Sequence, residues 1–430
     1  MTAAVHRTVE AVWRIESAAV IAKVARMLRD VGRAEEIAQD VLVTALERWP
    51  QAGVPDRPGA WLMAVAKNRA LDELRGRRTE ESGREEFGRE LQVAQDLAYA
   101  RQGEELDEDI GDDLLRLVFT ACHPVLSREA RVALTLRVLC GLTTDEIARA
   151  FLVPEPTVAQ RVVRAKRTLA EARVPFEVPR KEDLAERVGS VLEVIYLVFN
   201  EGYLATRGEG WMRPALCEEA LRLGRILAAM MPAEGEVHGL LALMEIQASR
   251  AAARTNAAGE PVLLLEQDRA RWDGLLIRRG LAALDHAARL GALGPYGLQA
   301  AIAGCHARAI APAETDWPRI AALYDALAAL APSPVVELNR AVAVAMAYGP
   351  AAGLEIVEPL VLEPSLRSYH LLPAVRADFL RKLGRLAEAA AEYERAAALT
   401  QNLRERGLLL AKAGNCASGD NTSPPQSLAP

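Results

Sequence analysis

Apolar residues recur at three- and four-residue intervals along nearly the whole chain, the period of a helix with one buried face. From Arg33 to Trp49, Ile37, Val41 and Ala45 share a face, joined by Leu42 and Leu46. A break near Arg29-Asp30-Val31-Gly32 separates this helix from another that begins around residue 8. Pro50 to Pro58 is a Pro- and Gly-rich loop. Gly59-Ala60-Trp61 then starts a third helix, apolar at Leu62, Val65, Ala66 and Leu71, which ends in the basic run Arg75-Gly76-Arg77-Arg78. No run alternates with the two-residue period of a strand, and helix-favouring Ala, Leu, Val, Arg and Glu fill nearly every segment. The predicted fold class is all-α.

The pattern lapses from Thr79 to Asp113, where thirteen Asp or Glu stand against three Arg. Such a segment lacks the apolar surface that would order it, which predicts a flexible acidic linker with at most one short helix. Helical periodicity returns over 114–174. Val174 to Arg180 contains prolines and separates that unit from a longer apolar region, in which Leu184 to Phe199 and Pro214 to Met230 are the clearest helices. Tyr348-Gly349 and Leu383-Gly384 lie thirty-five residues apart, each followed by an amphipathic helix, close to the tetratricopeptide period. The expected division is 1–78, a linker 79–111, a second domain 112–175, a helical extension 181–310, repeats 311–410 and a disordered tail 411–430.

The densest local signal runs from Gly141 to Arg167. Thr143 and Glu146 have capping-box spacing, so a helix should begin there and end at Pro154 and Pro156. In the helix that follows, Val158, Val162, Ala165 and Leu169 repeat on the inner face. Thr157, Gln160, Arg161, Arg164 and Arg167 then fall on or beside the opposite face, with Lys166 in the same basic helix. This is helix-turn-helix geometry, in which the second helix enters the major groove. Between Ala159 and Lys181 there are seven basic residues and two acidic ones, a local field suited to phosphates.

Composition sharpens this picture. At 430 residues the chain has room for two to four domains. The net charge of −6 argues against a polyanionic partner only on average, because charge is segregated along the sequence. No apolar run is long enough to cross a bilayer and no signal-peptide core is present, so the expectation is a cytoplasmic protein without membrane contact. Cys122, Cys140, Cys217, Cys305 and Cys416 are scattered and odd in number, which fits reduced thiols filling the core. Cys122-His123 and Cys305-His306 lack further ligands at metal spacing, so neither a metal site nor any cofactor is expected.

The helices flanking Pro50 to Pro58 carry opposite charge. Glu35, Glu36, Gln39, Asp40 and Glu47 lie off the apolar stripe of the first. Lys67, Asn68, Arg69, Arg75, Arg77 and Arg78 lie on the second. The stretches Ala34-Glu35-Glu36-Ile37-Ala38-Gln39-Asp40-Val41 and Ala60-Trp61-Leu62-Met63-Ala64-Val65-Ala66-Lys67-Asn68-Arg69-Ala70-Leu71-Asp72 resemble region 2 of sigma-70 family factors. Leu142 to Arg167 resembles their region 4. Two such regions joined by an acidic linker form the pattern of the extracytoplasmic-function group.

The resemblance implies a non-enzymatic initiation factor, with no catalytic residue, that binds core RNA polymerase and promoter DNA. Glu36, Gln39 and Asp40 would dock on the β′ clamp helices, and region 4 would meet the β flap. Lys67, Asn68, Arg69 and Arg75 would contact the melted −10 element, with the loop Trp49 to Gly59 capturing a flipped base. Thr157, Gln160, Arg161, Arg164, Lys166 and Arg167 would read and hold the −35 element.

Past residue 180 the chain resembles the subgroup with a large helical extension ending in tetratricopeptide-like repeats, a module that controls activity or takes a protein partner. Leu380 to Ala389 with Tyr393, Ala396 and Leu399 follows that repeat. Two repeats are too few to stand alone, so they should pack on the preceding helices. Phe199-Asn200-Glu201-Gly202-Tyr203 is either a binding loop or a glycine-containing helix C-cap with a buried tyrosine. A one-component helix-turn-helix regulator would account for 142–167 and the extension but leaves Trp61 to Asp72 unexplained. An enzyme is disfavoured, since no nucleophile-base arrangement, paired carboxylates or phosphate-cradling glycine loop appears.

Overall fold

The computed structural model describes residues 2–82, 107–151, 153–203, 213–256, 262–400 and 403–417. The elements among them are all helices. The chain divides into two compact units, Met1–Val198 and Phe199–Pro430.

In the first unit, α1 (Thr2–Leu28) is the spine against which α2 (Val31–Ala52), α3 (Pro58–Ser82) and α4 (Asp107–Ala121) pack. α1 stops where Arg29 takes φ 56. Asp30 then caps α2, its side chain accepting from the Arg33 amide at 3.0 Å. α2 passes the expected stop at Trp49, because Pro50 lies in the last turn, where little of the helical ladder is lost. Trp49 and Trp61 meet edge to face at 5.5 Å, both buried, and pin the ends of the connecting loop. Leu71, expected on the apolar face of α3, is exposed, and Ala70 is buried in its place.

α3 runs past the basic run to Ser82, and α4 begins at Asp107, inside the expected linker; residues 83–106 lie outside the described residues. The helix-turn-helix follows as α5 (Arg128–Val138), α6 (Thr144–Phe151) and α7 (Glu155–Glu171). α8 (Lys181–Tyr203) contributes its first half to this unit: Arg187 donates to the Phe119 carbonyl at 2.8 Å and Ser190 to that of Cys122 at 2.6 Å. Arg128 and Arg131 pair with Glu193 at 3.2 and 3.1 Å. Residues 181–198, assigned by periodicity to the extension, thus belong to the unit that carries the helix-turn-helix.

In the second unit, α9 (Pro214–Met230), α10 (Gly235–Ala248), α11 (Gly274–Leu290), α12 (Pro295–Arg308), α13 (Trp317–Leu330), α14 (Pro334–Tyr348), α15 (Pro350–Leu360), α16 (Leu371–Lys382), α17 (Leu386–Leu399) and α18 (Leu403–Ala417) pack mainly on chain neighbours. That pattern is a solenoid's. Gly349 and Gly384, the two repeat markers, take φ 103 and 78 between the helices of successive hairpins, a conformation only glycine adopts cheaply. One core joins Leu338, Val357, Phe379 and Tyr393. Another joins Leu298 and Ile302 of α12 to Ile320 and Leu327 of α13 and Ala343 of α14, which seats the repeats on the helices before them. α18 extends to Ala417, well into the tail expected from 411, because Leu409, Ala413 and Cys416 recur at helical spacing and are buried in the repeat core.

The helix continues through Tyr203, and Gly202 has no positive φ, so the glycine serves close packing and not a left-handed cap. A Cβ there would stand 2.6 Å from the Cys217 amide nitrogen. All five cysteines are free and buried. No group of three or more metal-binding side chains occurs among the described residues. No helix among them is long and apolar enough to cross a membrane.

Candidate nucleic-acid and polymerase interface

The capping box at the start of α6 forms in both directions. The Glu146 amide donates to Thr143 Oγ1 at 3.1 Å and the Thr143 amide to Glu146 Oε2 at 2.8 Å. In α7, Val158, Val162, Ala165 and Leu169 are buried, as the period requires, and α7 packs on α5 and α6. Gln160, Arg164 and Arg167 are exposed, while Thr157, Arg161 and Lys166 are half-buried. Arg167 pairs with Glu171 one turn on at 2.6 Å. Gln160, Arg161 and Arg164 make no hydrogen bond or ion pair among the described residues. A helix whose inner face is fixed by packing thus holds amide and guanidinium groups outward, the donor set that reads guanine and adenine edges.

On α2, Glu36 and Asp40 are exposed and Gln39 is half-buried. Asp40 and Glu36 are tied to the basic helix beside them. Arg69 lies 3.5 Å from Asp40 and donates to Thr44 Oγ1 at 2.7 Å, and Arg33 joins Glu36 to Glu73, the latter at 2.9 Å. Lys67 and Asn68 are half-buried near the middle of α3, and exposed Arg75 lies 3.4 Å from Asp72. The acidic and basic sets therefore sit on adjacent helices. The side chains of Arg77 and Arg78 lie outside the described residues.

Glu35 departs from expectation. It is 5% exposed, turned away from the acidic face, and accepts from Arg137 Nε at 2.9 Å and from Lys166 Nζ. It stands four residues after Val31 and three before Ala38, both buried, a spacing that places it on the inner face. Lys166, expected at DNA, is held by this carboxylate. Further ties run between the same two parts of the unit: Arg14 to Glu146 at 2.8 Å, and Lys23 and Arg26 to Asp113 at 3.7 and 3.4 Å. Burial raises the Asp113 pKa against the pull of Arg26, Lys23 and Arg116. At Gly141, whose φ is 66, a Cβ would come 2.8 Å from Ser17 Oγ, so the turn before α6 presses on α1.

Residues 15–80 match the model of Sigma-70 region 2, residues 116–169 that of Sigma-70 region 4, and residues 187–288 a family of unknown function, DUF6596. An uncharacterized protein of Rhizobium meliloti, R00370, is 45% identical over 381 residues, covering 88% of this chain and 89% of that one. The probable ECF RNA polymerase sigma factor SigI of Mycobacterium tuberculosis is 28% identical over 174 residues, 40% of this chain and 58% of SigI. The ECF RNA polymerase sigma factor SigL of the same organism is 29% identical over 163 residues, 36% of this chain and 82% of SigL. No solved structure matches the chain. The chain belongs to the extracytoplasmic-function group of the sigma-70 family and carries a C-terminal extension. It is a sigma factor for transcription initiation, a class that binds core RNA polymerase and promoter DNA.

Proposed function

We propose that this sigma factor recruits core polymerase in the cytoplasm to promoters whose −35 element is read by Thr157, Gln160, Arg161 and Arg164, with Lys166 and Arg167 on phosphates. Lys67, Asn68, Arg69 and Arg75 engage the melted −10 strand, and region 4 also meets the β flap. Glu36, Gln39 and Asp40 dock on the β′ clamp helices, with the extension governing the output. The observation that carries this reading is the exposed pair Gln160 and Arg164, without a bond among the described residues, with half-buried Arg161 beside them within reach of the Glu129 charge, on a helix locked from behind. Lys166 cannot serve a phosphate while it neutralises Glu35, so promoter engagement exchanges that ion pair for contacts to DNA.

Control by the extension would run through α8, whose early turns belong to the first unit, where they bond to residues of and next to α4 and to α5, and whose last residues, 199–203, begin the second. The test is transcription from the gene's own upstream region with purified core polymerase, using the whole chain, a chain ending at Arg180 and one ending at Tyr203. The proposal expects both truncations to change output several-fold. If only the cut at Arg180 does so, the effect belongs to α8 bracing region 4. If neither does, the extension has no direct control.

A further inference from the structure

Half-buried arginines elsewhere in the second unit have either an acid beside them, as Arg376 has Glu358 and Glu392 and Arg381 has Asp378, or carbonyls, as Arg406 has those of Ala397 and Thr400. Arg250 and Arg254, in the turn after α10, have neither among the described residues. Arg250 is 7% exposed, and none of the ion pairs among the described residues includes either side chain. The two share an aromatic frame. The Arg254 guanidinium lies 3.7 Å over the Tyr203 ring, and that of Arg250 lies 5.9 Å from the centroids of both Tyr203 and Trp272.

Among the described residues the surroundings add donors, and the carboxylate that acts there, Glu314, bears on Arg269. Arg269 lies 5.1 Å from the Trp272 ring, but its guanidinium is already committed to the carbonyls of His306 and Ala309 and to Thr315 Oγ1. Burial, with Arg250 and Arg269 nearby, pushes the His306 pKa down to about 3, so the ring is neutral. Burial pushes the Cys217 thiol up to about 12, so it offers no thiolate to Arg254. Arg250 Nε, Arg254 Nη1, Trp272 Nε1, His306 Nδ1 and Gln267 Oε1 are all buried without a hydrogen-bond partner.

An arginine cannot shed its proton to escape burial, and aromatic faces recover only part of the lost hydration. Two guanidiniums sequestered together therefore call for an anion. We propose that Arg250 and Arg254, framed by Tyr203 and Trp272, form a binding site for a small ligand bearing an oxyanion, a phosphate or a carboxylate. Forked guanidinium donors suit either group, and the indole and imidazole nitrogens add donors around it. The extension would then be a receptor for a small anion as well as a repeat scaffold. The site stands independently of the promoter-reading scheme, because its test needs neither polymerase nor DNA.

The test is thermal unfolding of the full chain in inorganic phosphate and, separately, in succinate, with chloride keeping ionic strength constant. The expected result is a saturable rise in Tm of a few degrees with at least one of the two anions, which also assigns the oxyanion class. Arg250→Met and Arg254→Met should abolish the rise. Arg250→Lys, which keeps the charge but loses the fork, should fold and weaken the response about tenfold or more, so the proposal stays testable if the methionine variants do not fold. A parent chain without a saturable shift, or an equal shift in the variants, would overturn the site.

Discussion

Glu35, on the helix that carries the proposed polymerase-docking residues, is ion-paired with Lys166, on the helix that carries the proposed −35 readers. Arg137 completes the cluster, donating to the other Glu35 oxygen at 2.9 Å, and the carboxylate is almost wholly buried. One buried acid thus neutralises two cations from the helix-turn-helix and ties the helix of the proposed docking residues to the helix of the proposed readers.

Removing that acid leaves two half-buried cations without a counter-charge. Glu35→Gln, which keeps the shape, should destabilise the first unit by about 3–5 kcal/mol, read from denaturant unfolding. A loss below about 1 kcal/mol would show the cluster to be solvated in solution. Lys166→Met should reduce the salt dependence of promoter binding by about one phosphate contact if the ammonium is released to DNA on binding.

Arg164→Ala should weaken upstream-promoter binding by about 1–3 kcal/mol and relax preference at a single base position. A uniform loss over all sequences would make Arg164 a phosphate contact. Unchanged binding in both Arg161→Ala and Arg164→Ala would remove α7 from the role of recognition helix.

Reversing charge at Glu36 or Asp40 should reduce affinity for core polymerase without changing binding of the upstream element. Lys67→Ala with Arg69→Ala should do the converse, leaving docking intact and impairing open-complex formation, followed by permanganate reactivity of the −10 strand. Arg69 also holds Thr44 and Asp40, so unfolding midpoints of the same variants separate a lost contact from a loosened region 2.

His306 is held neutral, its pKa near 3 against about 6.5 in an unfolded chain. Protonation therefore favours the unfolded state. The stability this histidine contributes is complete above about pH 6.5 and is lost as pH falls toward 3. His238, lowered by burial and by His286, acts in the same direction. His306→Asn should flatten the dependence of the unfolding midpoint on pH between about 6.5 and 4, and an unaltered profile would exclude it as a source of acid lability.

What could be read from the sequence was local. The capping box of Thr143 and Glu146, the inner face of α7 and the repeat glycines Gly349 and Gly384 depend on residues a few positions apart, and the structure repeats them. Glu35 falls on the acidic face by sequence pattern but is buried in the structure, because its partners are 102 and 131 residues away and a charged side chain on a helix is by default a solvated one. The proposed arginine site is not legible in the sequence for the same reason: Tyr203, Arg250, Trp272 and His306 come from separate elements, and of these only Tyr203 and His306 stand in segments with a local pattern of their own. The start of α4 inside the acidic stretch followed from tertiary packing, since Leu115, Leu117 and Val118 bury a face that outweighs the charge before it.

In the proposed mechanism α2 and α7 act as the polymerase-docking and promoter-reading elements of one initiation factor. Run-off transcription with purified core polymerase, from DNA carrying the gene's own upstream region, measures both at once when the parent is compared with Asp40→Arg and Arg164→Ala. The parent should yield one discrete promoter-dependent transcript, and each variant should reduce it about tenfold or more, the cost of roughly 1.4 kcal/mol at either contact. Equal yields from all three chains would contradict it.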